Sequence, residues 1–138
     1  PAIREVMMRM PADDLITVMN RRRPVVFIEM YDAGTARFVS SSEMILTKKD
    51  RPAFQEGMTI VKISTALENG SADAIQGIVA HELAHRVRDH VRSGKVSCQS
   101  EREANHLVKS WGLVKEYEAA SKEYGRIKEG GGVAFCQE

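Results

Sequence analysis

The hydrophobic positions of the chain change period twice, and each change marks a change of element. Residues 10–23, "MPADDLITVMNRRR", read as a helix. Pro11 suits a first turn, Asp13 and Asp14 lie near the positive end of the dipole, and Arg21, Arg22 and Arg23 lie near the negative end. Met7, Met8 and Met10 would extend it upstream, with Pro11 breaking or kinking the extension. A period of two follows. "PVVFIEMY" is β-branched and aromatic, "DAGT" is turn chemistry, and "ARFVSSSEMILTKK" supplies one or two further short strands. After the loop "DRPAFQEG", "MTIVKIS" alternates Thr59, Val61 and Ile63 against Ile60, Lys62 and Ser64, as a strand with unlike faces does.

Helical spacing returns at Ser71, an N-cap candidate, in "SADAIQGIVAHELAHRVRDHV", with Gly94 as the stop signal. "SCQSEREANHLVKSWG" is a second helix ending at Gly112, and "LVKEYEAASKEYGRIKE" a third. The Gly-rich "GGGVAFCQE" reads as a flexible tail. The order predicts an α+β domain over residues 1–129: an N-terminal helix, a small antiparallel sheet, then a helical C-terminal part, with 130–138 as tail.

Composition narrows the partners. The 138 residues, 43% of them hydrophobic, suffice for one core. No apolar run approaches the roughly 20 residues of a membrane span, and the first residues carry no apolar stretch of signal-peptide length. A net charge of +1 gives no general attraction to nucleic acid, so none is expected as a partner. The Arg21–Arg23 cluster reads as a solvated helix end, with a phosphate contact as the alternative. Two cysteines, Cys98 and Cys136, cannot build a disulfide framework, and reduced thiols in a cytoplasmic protein are expected.

The candidate chemistry lies in residues 78–87, "IVAHELAHRV". On a helix His81 and His85 are one turn apart and project from the same side, so both imidazoles can reach one ion. They fall at the border of the apolar arc formed by Ile78, Val79, Leu83 and Val87, with Glu82 alongside and turned inward. Arg86 falls inside that arc, against the pattern.

Catalytic zinc commonly takes three protein ligands, so a third is sought among His90, Cys98, Glu101, Glu103 and His106. Continued helix would put His90 about 140° round from His85, pointing elsewhere. On the following helix Glu101, Ala104, Asn105, Val108 and Trp111 share one face, while Glu103 and His106 lie opposite. Glu101 is therefore the expected third ligand, and Asn105, one turn on, can hold a ligating histidine from behind. Cys98 borders this face as an alternative ligand.

"HELAH" followed by "EREAN" resembles the gluzincin metallopeptidases, whose pattern is H-E-x-x-H with a glutamate ligand on a later helix. It is similar to the E-x-x-A-D of the CAAX-prenyl-protease and heat-shock membrane protease group, with Asn105 at the aspartate position. It is also similar to the H-E-L-x-H and E-x-E-A-N combination of ImmA/IrrE-type peptidases. The resemblance spans about residues 58–112. It implies a zincin-like fold in which "MTIVKIS" is an edge strand beside the active-site helix, pairing with an extended peptide or protein substrate. It further implies a Zn2+ site of His81, His85 and Glu101, with Glu82 as general base for a metal-activated water. Tyr117, Tyr124, His90 and His106 are open candidates for stabilising the oxyanion. The alternative is a zinc-binding regulatory or interaction module with little or no turnover, or a helical domain without metal.

Overall fold

The computed structural model describes residues 1–30, 39–44, 57–90 and 97–129. The N-terminal helical stretch is two helices, α1 (Ala2–Arg9) and α2 (Ala12–Val18), separated where the Pro11 ring removes an N–H. α2 ends before the arginines. Arg21 and Arg22 are exposed in the turn that follows, but Arg23 is buried and forms an ion pair with Asp89 at 2.6 Å. The cluster is thus not wholly a solvated helix end, because its last member anchors the far end of another helix.

Among the described residues three strands follow: β1 (Val25–Met30), β2 (Val39–Met44) and β3 (Met58–Ser64). Their order is β1-β3-β2. β1 runs parallel to β3, from Val25 opposite Thr59 to Met30 opposite Ser64. β2 runs antiparallel to β3, from Val39 opposite Ile63 to Met44 opposite Met58. Two expectations fall here. The sheet is mixed and not antiparallel, because β3 inserts between two strands that are consecutive in the chain. For the same reason "MTIVKIS" is the central strand, with both edges paired, and not an edge strand. Its β-branched content and its alternating buried positions Thr59 and Val61 fit a centre, where packing is tightest. β2 lies at an edge among the described residues and approaches the central helix.

That helix is α3 (Ala72–Val87), followed by α4 (Cys98–Ser110) and α5 (Val114–Glu129). α3 packs against α1, α2, α4 and α5, which explains its small residues: Ala74, Gly77, Ala80 and Ala84 are all buried. A Cβ on Gly77 would stand 2.2 Å from the backbone oxygen of Glu116, so α5 rests on the α3 backbone there. Enclosure also accounts for Arg86. Buried at 5% exposure, its guanidinium donates to the carbonyl oxygens of Thr17 and Arg23, each at 3.3 Å, and so meets the free carbonyl end of α2. Val6, Val79, Leu83, Val108, Trp111 and Leu113 form the middle of the core, and the Trp111 indole N–H donates to Asp14 at 2.8 Å. No helix among the described residues is long and apolar enough to cross a membrane.

Cys98 is disulfide-bonded. This corrects the expectation of a free thiol at that position and takes Cys98 out of the ligand candidates. Cys136 and the expected tail lie outside the described residues.

Candidate metal centre

Two caps bring the site residues to their positions. The Ser71 hydroxyl accepts from the Ala74 N–H at 3.2 Å and starts α3. At α4, Ser97 and Ser100 cap each other: the Ser97 hydroxyl accepts from the Ser100 N–H, and the Ser100 hydroxyl from the Ser97 N–H. α4 therefore begins at Cys98, which places Glu101 in its first turn, facing the His81 and His85 turn of α3.

The expected ligands converge. His81 Nε2 lies 2.9 Å from one oxygen of Glu101, and His85 Nε2 lies 3.2 Å from the other. The two Nε2 atoms are 3.0 Å apart, with the rings nearly perpendicular at 89°. Tetrahedral zinc with bonds of about 2.0–2.1 Å spaces its ligand atoms by about 3.3 Å, comparable with the 3.0 Å between the two nitrogens and with the distance from each nitrogen to its own Glu101 oxygen. His85 is buried, while the side chains of His81 and Glu101 keep 23% and 27% of their exposure, so the group lies partly at the surface. Among the described residues this is a group of side chains able to hold an ion, its ligand atoms within 4.8 Å of one another.

The proton positions suit a cation as well. Asn105 Oδ1 stands 2.8 Å from His81 Nδ1. A carbonyl oxygen only accepts, so Nδ1 carries the hydrogen, and neutral His81 presents a bare lone pair at Nε2. That lone pair faces a carboxylate and a second imidazole nitrogen. Without a metal, a proton takes the cation's place. Burial opposes charge on His81, yet the Glu101 hydrogen bond and the charges of Glu82 and Glu101 outweigh it and raise its pKa. Burial would raise the Glu101 pKa, but its bonds to His81 and His85 hold it well below the usual carboxylate range. Glu82 is half-buried on the same turn, near enough for its charge to act on His81.

His90 departs from expectation. α3 stops at Val87, short of the Gly94 stop signal, because Asp89 adopts φ 57, in the left-handed region. The Asp89 N–H then bonds to the Arg86 carbonyl at 3.2 Å and the His90 N–H to the His85 carbonyl at 3.1 Å, the two bonds of a Schellman ending. This folds the chain back, so His90 does not point elsewhere. It is buried at 3% exposure with its Nδ1 2.9 Å from His85 Nδ1, and its Nε2 lies 2.8 Å from Glu103. Glu103 stands outside the His81, His85 and Glu101 group, on the side its helical position implied, and reaches that group at one remove through His90. His106 is exposed, and the Tyr117 ring packs beneath the Lys109 ammonium at 4.5 Å.

No protein-family model, curated protein or solved structure matches this chain.

Proposed function

We propose that the chain is a zinc-dependent peptidase in which His81, His85 and Glu101 hold the ion and Glu82 is the general base. One observation carries this reading: the His81 and His85 Nε2 atoms stand 3.0 Å apart and each faces its own oxygen of the Glu101 carboxylate, in a group whose ligand atoms lie within 4.8 Å of one another. A structural zinc site closes itself with four protein ligands, whereas a catalytic one keeps a position free. The set of two nitrogens and one carboxylate oxygen suits zinc. Bound there, zinc would supply Lewis-acid chemistry, acidifying water and polarising a carbonyl.

The remaining work falls to the chain. Glu82 accepts a proton from the attacking water as the new C–O bond forms. It returns that proton to the amide nitrogen as the C–N bond breaks. β2, at an edge of the sheet among the described residues, would offer an extended peptide a strand to pair with beside α3, where main-chain pairing gives affinity with little sequence choice.

The test is Glu82→Gln, which keeps volume and hydrogen-bonding reach but accepts no proton. Against a panel of extended peptides, the variant should retain zinc and its melting temperature while hydrolysis falls by at least about 10²-fold. Equal hydrolysis by both proteins at equal zinc occupancy contradicts the assignment and leaves a zinc-binding module.

A further inference from the structure

His85 is the more deeply buried of the two histidines, and it has no asparagine behind it. Its Nδ1 faces another imidazole, which by itself settles nothing, since either ring can donate. The chain of contacts settles it from the far end. Both Glu103 oxygens are engaged: Oε2 lies 2.8 Å from His90 Nε2, and Oε1 accepts from the Gln99 amide at 3.1 Å. A carboxylate only accepts, so His90 Nε2 carries the hydrogen. A neutral His90 then has a bare lone pair at Nδ1, 2.9 Å from His85 Nδ1. His85 must donate there, and its own lone pair is left at Nε2, the atom that faces His81 and Glu101. One exposed carboxylate on α4 thus sets the tautomer of a buried ring on α3, through a third ring.

We propose that His90, oriented by Glu103, is a positioning residue that holds His85 in its metal-binding tautomer and ring orientation. The proposal rests on the metal site described above. The geometry comes from the helix ending. In a Schellman motif the residue after the left-handed position returns over the third residue from the helix end, and an apolar pair usually fills that contact. The end of α4 follows this rule: Gly112 has φ +78, the Leu113 N–H bonds to the Val108 carbonyl at 3.3 Å, and both side chains lie in the core. At the end of α3 the same two positions are His90 and His85. A contact that elsewhere seals a helix end here joins two imidazoles. The two ligating histidines are therefore supported differently, His81 by an amide and His85 by an imidazole–carboxylate pair.

The experiment measures zinc affinity by competition with a chromophoric chelator for wild type, His90→Phe, Glu103→Ala and Glu103→Gln, with circular dichroism as the check on folding. Long-range proton–nitrogen correlations of the histidine rings in zinc-loaded wild type report the tautomers. His85 should be protonated at Nδ1 and His90 at Nε2. His90→Phe should bind zinc about 10–100-fold more weakly. Glu103→Ala should weaken binding measurably, and Glu103→Gln, whose amide oxygen still accepts from His90, should recover most of that loss. The Glu103 side chain is 46% exposed, so its variants decide the matter if His90→Phe does not fold. A proton on His90 Nδ1, or equal affinity in wild type and Glu103→Ala, overturns the proposal while leaving the metal site standing. A wild-type chain that takes up no zinc overturns both.

Discussion

His81 and His85 each turn one nitrogen toward Glu101 and give the other to a neighbour, so every ring atom able to bond at this site is committed. In the metal-free chain this commitment has a pH signature. The His81 pKa is raised above 6.5 in the folded state, so its contribution is complete below 6.5 and is lost as pH rises through the folded value. The Glu101 pKa is lowered from 4.5, so its contribution is complete above 4.5 and is lost as pH falls through the folded value. Chelator-treated wild type should therefore exceed Glu101→Gln in melting temperature most clearly between 4.5 and 6.5, with the gap narrowing at higher pH. A gap that widens as pH rises past 6.5 contradicts the pairing. That Glu101 and not Glu103 faces the two histidines, and that Asn105 stands behind His81, was legible because these residues sit within one regular helix, where angle follows from count. His90 was not, because its direction depends on a single left-handed residue, and Asp89 does not announce one as glycine does.

The same limit appears for whole elements. Regular interiors were readable: Ser71 does cap α3, Gly112 does end α4, and Pro11 does divide α1 from α2. The length of α3 was overestimated because Gly94 is the more conspicuous breaker. α3 also carries a residue whose effect runs against its usual reputation. Replacing an exposed helical glycine by alanine gains about 1 kcal/mol. At Gly77, however, the new methyl would meet the Glu116 carbonyl and the Ala120 methyl, and a backbone carbonyl cannot rotate aside. Overpacking costs about 1–3 kcal/mol and outweighs the propensity gain. Gly77→Ala should lower unfolding stability by about 1–2 kcal/mol in urea titrations. A variant as stable as wild type would mean that α3 and α5 are not held this close.

At the scale of the molecule, α3 is enclosed by helices on several sides and carries both histidines at its C-terminal half, next to α4. Class and element order were legible, since each segment's period is local. The pairing of strands was not, because β1-β3-β2 joins residues far apart in the chain, and nothing in three short β-branched runs says which lies between the others. The bonded state of Cys98 was equally beyond reach, because two lone cysteines carry no spacing signal. What the enclosure achieves is a fixed distance between the α3 histidines and the first turn of α4, and the metal-centre reading depends on that distance. The most direct test is zinc-edge X-ray absorption on the full chain after dialysis with equimolar zinc. The account predicts an edge height of about one zinc per chain and a nitrogen–oxygen shell at about 2.0–2.1 Å, with outer scattering from two imidazoles. Loss of the zinc on dialysis, or a sulfur shell near about 2.3 Å, would contradict it.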